Sequence, residues 1–343
     1  MLLCRYIVEI KKIRLRHISK VVNLDTYLLF LLVYLTLLEE LFMNAINVNK
    51  LYKSYNGIDN AIEDITFSIP AGEIFGFLGP NGSGKTTTVR ILNGILKQTS
   101  GSANLYDLDN VKDKLQVHRI SGVMTESARN YENLTALENL IFFGKLHHIE
   151  EKELKERAQD LLKKLELFED RNKKAGDFST GMKKRLALAI ALINNPKIIF
   201  LDEPTSGLDP ENASNVLNLI KYMAKEKEVT VFMCTHQLKY AQDICSMFGF
   251  IDKGKILGIG SFEELLKKKN AQNRLIIRGE NIKESLAFNK LEENYYKEVS
   301  SDEEAYSIIK SVINEGGKIY EARQESWSLE DLYFSYIRGD KHE

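Results

Sequence analysis

Cysteine and proline are scarce in this sequence, and neither sign of charge dominates it. Its three cysteines, Cys4, Cys234 and Cys245, show neither metal-ligand nor disulfide spacing, which excludes a disulfide-stapled scaffold and suits a reducing compartment. Lysine and arginine number 47 against 48 acids, so no basic excess points to nucleic acid as a partner, and none is expected. With 343 residues, 44% hydrophobic and 28% charged, the chain reads as an ordinary globular protein, long enough for one large domain or for one domain with appendages. Long apolar runs are also missing. Residues 27–38 are apolar, but a membrane span needs about 20 such residues. Asn23 and Asp25 interrupt the upstream side, Glu39 and Glu40 close the stretch, and no small-residue cleavage site follows. Residues 1–42 are therefore expected to be an extension, dispensable or arising from a misplaced start. A membrane-associating anchor and an ordered packing helix are the open alternatives.

Glycine, by contrast, is concentrated where it counts. Gly79-Pro80-Asn81-Gly82-Ser83-Gly84-Lys85-Thr86, continued by Thr87, fits the phosphate-binding pattern GxxxxGK[ST]. It follows the strand-like run Ile74-Phe75-Gly76-Phe77-Leu78 and leads into a helix-like segment, the context the motif requires. Glycines let the backbone wrap a polyphosphate so that successive N–H groups and a helix N-terminus face negative charge. Lys85 is expected to reach the β- and γ-phosphates, and the Thr86 hydroxyl to ligate Mg²⁺. The segment thus predicts binding of ATP or a similar nucleoside triphosphate.

A second constellation lies in Ile198-Ile199-Phe200-Leu201-Asp202-Glu203-Pro204, where a hydrophobic strand ends in adjacent carboxylates. Asp202 is placed to hold Mg²⁺ through water, and Glu203 to polarise the attacking water. A bound cation offsets the repulsion between the two acids. Upstream, Phe178-Ser179-Thr180-Gly181-Met182 precedes an apolar helical run, with Ser179 a candidate N-cap that leaves the positive helix end open to an anion. Strands are expected also at 46–48, 65–69 and 231–235. The apolar runs are β-branched or aromatic-rich and too short for helices, so they read as a mostly parallel, doubly buried sheet. Residues 150–168 read as an amphipathic helix with Leu154, Ala158, Leu161, Leu162 and Leu165 on one face.

Taken in order, these motifs resemble the ATP-binding cassette (ABC) family over roughly residues 45–265. Ser179 and Gly181 match its signature, LSGGQ in the commonest form. Phe178, Thr180 and Met182 depart from it. The resemblance implies that Ser206-Gly207-Leu208-Asp209 is the D-loop and His236 the switch histidine at the γ-phosphate. It also implies that Tyr55 stacks on adenine, although a lone tyrosine also reads as packing. Glu126 stands where the family carries a glutamine that touches Mg²⁺ and water. A carboxylate can still serve as a ligand there, adding negative charge. A register shift, leaving Glu126 a surface acid, is the alternative.

The implied fold is an α/β P-loop NTPase core at residues 45–268, with an N-terminal antiparallel β subdomain and a helical subdomain near 129–177. A small α/β appendage at 270–343 completes the expected layout. Its ending, Ser328-Leu329-Glu330-Asp331-Leu332-Tyr333, is similar to the SLEDxF ending of exporter ATPases. The appendage reads equally as a dimerisation or regulatory element and as simple packing. In the family two cassettes face head to tail, sandwiching ATP between one chain's P-loop and the other's signature. One P-loop and one signature here imply a second ATPase chain, identical or different. The expected function is the ATPase subunit of a membrane exporter at the cytoplasmic face of the membrane, driving a separate permease. The alternative is a soluble cassette ATPase acting on the ribosome or DNA.

Overall fold

Strands buried on both faces organise the molecule around three sheets. The computed structural model describes residues 43–126, 130–283, 286–291 and 294–338, and the expectation for residues 1–42 lies outside them. An antiparallel sheet runs in the order β2 (Asn60–Pro70), β1 (Asn44–Ser54), β4 (Ser100–Leu105) and β5 (Leu108–Asp109). The central six-stranded sheet runs β10 (Lys255–Gly260), β9 (Met247–Asp252), β3 (Ile74–Leu78), β8 (Thr230–Thr235), β7 (Ile198–Asp202) and β6 (Ser121–Met124). A third sheet runs β12 (Asn289–Leu291), β13 (Asn294–Val299), β11 (Asn273–Glu280) and β14 (Lys318–Glu325).

Ten α-helices connect them among the described residues: α1 (Lys85–Leu92), α2 (Lys114–Ile120), α3 (Ala136–Leu146), α4 (Glu151–Lys164), α5 (Thr180–Leu192), α6 (Pro210–Lys227), α7 (Leu238–Ile244), α8 (Phe262–Lys268), α9 (Asp302–Asn314) and α10 (Leu329–Arg338). This is the mixed α/β P-loop architecture that the motifs imply. No helix among the described residues is long and apolar enough to cross a membrane.

Every residue of β3, β7 and β8 is buried, as the uninterrupted apolar runs require of a sheet covered on both faces. The period of two divides those residues cleanly. Phe75, Phe77, Phe200 and Phe232 join Phe67 in one core, facing the antiparallel sheet. Phe232 lies at its centre, with ring centroids 5.2 Å from Phe75, 5.3 Å from Phe77 and 5.6 Å from Phe200. Ile74, Leu78, Ile199, Leu201, Val231 and Met233 point the other way, into a core shared with α3, α4 and α5.

Parallel register is what builds the site. Leu78 pairs with Thr235, Asp202 with Cys234, and Met124 with Leu201, so β3, β8, β7 and β6 end at one level. The segments that follow these strands therefore crowd into one crevice at the carboxyl edge of the sheet, where open α/β sheets bind ligands.

The last helix returns to this core. Ser328 and Asp331 cap it reciprocally: the Ser328 N–H donates to Asp331 Oδ2 at 3.0 Å, and the Asp331 N–H to Ser328 Oγ at 3.1 Å. Leu329, Leu332 and Tyr333 are buried, and the Tyr333 and Tyr336 rings lie 5.5 and 5.2 Å from Phe250 of β9.

Candidate nucleotide-hydrolysis site

The loop between β3 and α1 is a backbone-lined cradle. Gly84 precedes α1 with φ 112°, which disfavours any L side chain, and it provides no side-chain cap. A Cβ at Gly79 would lie 2.2 Å from the Ile251 carbonyl oxygen, so that turn has no room for another residue. The first turn of α1 carries no acid, leaving its positive end free to face an anion. Lys85 is buried, and its Nζ donates to the carbonyls of Gly79 at 2.7 Å and Pro80 at 3.0 Å. The loop thus holds its own ammonium beside the cradle.

A cleft of about 150 Å³ opens there, lined by Ala61, Asn81, Gly82, Gly84, Lys85, Thr86, Thr87, Glu126, Asp202 and Glu203. Nine of these ten were sequence candidates; Ala61, on β2, was not. The Thr86 hydroxyl donates to Asp202 Oδ2 at 3.0 Å, joining the P-loop to the end of β7. Burial, opposed by the Thr86 bond and reinforced by the charges of Glu203 and Glu126, pushes the Asp202 carboxyl above its ordinary range. A hydroxyl and carboxylate beside further acids form a hard-oxygen set short of positive charge, which fits Mg²⁺. No three-ligand cage exists among the described residues. Mg²⁺ needs none, since it commonly uses one or two protein oxygens together with substrate phosphates.

Glu203 is buried and held from every side. Its Oε2 accepts from the Thr235 hydroxyl at 3.0 Å, and its Oε1 from the His236 backbone N–H at 3.1 Å. The His236 ring also lies on Oε1, with Nδ1 2.7 Å away. A carboxylate only accepts, so Nδ1 carries that proton, and the ring as a whole is about half exposed. The backbone of Glu203 is left-handed, with φ 51°, which costs on the order of 1 kcal/mol and persists only where neighbours enforce it. Those neighbours are the Cys234 carbonyl, 2.9 Å from the Glu203 N–H, and the Lys184 ammonium, 2.6 Å from the Glu203 carbonyl.

Tyr55 is exposed, with its hydroxyl 3.3 Å from Thr87 Oγ1 and Lys53 Nζ 5.3 Å from its ring centroid. It borders the P-loop and is not a core packing residue. Ser179, Thr180 and Gly181 do not line the cleft. Ser179 caps α5, its Oγ accepting from the Met182 N–H at 3.3 Å, and both Ser179 and Thr180 are exposed. Asp209 caps α6, accepting from the Asn212 N–H at 3.0 Å, which holds its carboxyl below the usual carboxylate range.

The family model described as an ABC transporter matches residues 62–206. The bacitracin transport ATP-binding protein BcrA of Bacillus licheniformis is 37% identical over 224 residues, which are 65% of this chain and 71% of that protein. This chain belongs to the ABC transporter family. ABC transporter A family member 3 of Arabidopsis thaliana is 36% identical over 236 residues, 67% of this chain but only 25% of that relative's length. Among solved structures, cbiO1 of Clostridium perfringens, part of the ABC transporter complex cbiONQ, superposes with a TM-score of 0.60 at 27% identity, covering 66% of this chain and 92% of that one. A dimeric ATP-binding cassette in a post-hydrolysis state with ADP and Pi gives 0.58 at 28% identity, covering 63% and 98%.

Within this ABC cassette, sequence reasoning missed two contacts. One is the pairing of Glu203 with His236, two residues singled out for separate roles. The other is Lys184, which reads as part of the surface-like cluster Lys183-Lys184-Arg185 but is buried. Lys184 follows the signature by two residues, and only its place on the inner face of α5 distinguishes it from Lys183.

Proposed function

We propose that the chain is the ATP-hydrolysing subunit of an ABC exporter, acting as a dimer at the cytoplasmic face of a membrane and driving a separate permease. The observation that carries this reading is the convergence of P-loop, Asp202, Glu203 and Glu126 on one cleft while the capped N-terminus of α5 stands exposed outside it. A helix end that offers N–H groups to an anion, yet lies outside the cleft of its own chain, suits a second copy's nucleotide. The 71% coverage of a bacitracin transport ATP-binding protein supports transport as the task.

In this mechanism Tyr55 stacks on the adenine, the P-loop amides and Lys85 hold the phosphates, and Ser179 to Gly181 of the partner close over the γ-phosphate. Thr86 and Asp202, with Glu126 alongside, would hold Mg²⁺, which when bound neutralises phosphate charge. Glu203 accepts a proton from the attacking water, while His236, oriented by Glu203 Oε1, donates to the γ-phosphate from Nε2 when its ring is doubly protonated. Asp209 sits at the D-loop beside the signature of its own chain: a Cβ on Gly207 would lie 3.8 Å from Thr180 Cγ2. Loss of the γ-phosphate removes what links the two protomers, and the dimer opens.

The test is phosphate release by the purified chain with Mg²⁺ and ATP, alone and with membranes carrying a multi-span protein encoded beside it. Stimulation by those membranes is expected. Stimulation by ribosomes or DNA in their place would overturn the exporter reading. Glu126 supplies a further expectation. Glu126→Gln removes one of the charges that crowd Asp202, so activity should be kept or raised and the Mg²⁺ concentration for half-maximal rate should shift. An unchanged Mg²⁺ profile would make Glu126 a bystander.

A further inference from the structure

Three consecutive cations after the signature have three different fates. Lys183 pairs with Glu132 at 3.1 Å on the surface, and Arg185 reaches the Leu165 carbonyl and Glu166, each at 3.1 Å. Lys184 turns inward, is 5% exposed, and places its Nζ 2.6 Å from the carbonyl oxygen of Glu203. We propose that Lys184 is a positioning residue for hydrolysis: its ammonium clamps the main chain at Glu203 and so aims the catalytic carboxylate into the cleft. The inference rests on reading this cleft as the ATPase site.

The geometry explains why a clamp is needed. Glu203 is left-handed at φ 51° and is followed by Pro204, which has no N–H to fix the intervening peptide. Among the described residues, the Glu203 carbonyl accepts, apart from Lys184, only the Ser206 N–H, at 3.3 Å. A charge-assisted bond in a buried setting is the strongest of these restraints. The surroundings suit a cation. Burial pushes the Lys184 ammonium below the ordinary lysine range, while the charges of Glu203, Glu126 and Asp202 oppose that shift. Glu126, Asp202 and Lys184 also line one groove with Thr86 and Ser206. Because Lys184 belongs to α5, whose exposed start is the signature, this bond ties the helix directly to the main chain of Glu203.

The full-length chain tests this directly. Lys184→Met keeps the length of the side chain and removes donor and charge. Its kcat for ATP hydrolysis should fall between about 10- and 100-fold, the scale of a small misplacement, with KM and ATP affinity within about threefold. Lys184→Arg, which retains a charged donor, should recover most of the rate. The Lys184→Met loss should persist in a Glu126→Gln background, because the bond to the Glu203 carbonyl does not involve Glu126. Melting curves establish that each variant is folded. If Lys184→Met does not fold, Lys184→Gln is read by the same split, since its shorter neutral side chain cannot sustain a charge-assisted bond. A folded variant with kcat within twofold of wild type overturns the proposal. So does a loss that vanishes with Glu126→Gln, which would make Lys184 a mere counter-ion to that acid. A wild-type chain that neither binds nor hydrolyses ATP instead overturns the ATPase reading, and the inference with it.

Discussion

Glu203→Gln should bind ATP normally and hydrolyse it about 10² to 10⁴ times more slowly, the usual contribution of a general base. The substitution is nearly isosteric, and the contacts can be kept. A glutamine oxygen can accept from the His236 N–H and ring, as Glu203 Oε1 does at 3.1 and 2.7 Å. The new NH₂ group faces Thr235 Oγ1, which can accept as well as donate. What disappears is the negative charge that draws a proton from water. ATP should then persist in the shared site, and the variant should accumulate as an ATP-bound dimer measurable by light scattering. Adding Ser179→Arg should abolish that dimer, because it sets bulk at the exposed start of α5 where the partner's nucleotide docks. Wild-type turnover in Glu203→Gln would remove Glu203 from the chemistry. An inactive variant that stays monomeric with ATP would favour a heterodimer with a different cassette.

Lys85→Ala is expected to lower ATP affinity and hydrolysis together. The buried ammonium is a fixed positive charge held by the cradle itself, and truncating one partner of such a pair costs about 3 kcal/mol, or roughly 10²-fold in affinity. The substitution also removes the ammonium from the Gly79 and Pro80 carbonyls, 2.7 and 3.0 Å away, leaving Pro80 the Ser83 N–H at 3.2 Å. Equilibrium nucleotide binding and phosphate release on the same preparation check it. Wild-type affinity in this variant would sink the assignment of the loop as the phosphate site.

The parts of the site legible in the sequence are those written locally. The P-loop, the Asp202-Glu203 pair and the signature each occupy a few consecutive residues, and their steric demands, such as the absence of a side chain at Gly79 and Gly84, leave a mark that can be read in isolation. Strands β3, β7 and β8 were equally plain, because burial on both faces removes all polar punctuation. The hairpin of β9 and β10 was not anticipated, although Lys253-Gly254 marks its turn. Its β10 edge is only half buried and mixes glycine with apolar residues, which blurs the pattern. The clasp of Lys184 on the Glu203 carbonyl spans 19 residues, and that of His236 on the carboxylate 33. Such pairings arise from the parallel register and from which face of α5 turns inward. No local pattern encodes either.

The reciprocal cap and buried aromatics of α10 change what kind of object the C-terminal sheet is. Strands β11 to β14 leave the cassette after α8, whose Leu265 carbonyl accepts from the Tyr336 hydroxyl at 3.2 Å, and the chain comes back at α10. The third sheet is therefore a closed excursion, pinned at both ends to the same body, and not a free tail. A segment anchored twice loses far less freedom on being ordered than one anchored once. Force applied to that sheet is delivered at both roots, onto β10 under α8 and onto Phe250 of β9 under α10, the latter one strand away from the β3 strand that carries the P-loop.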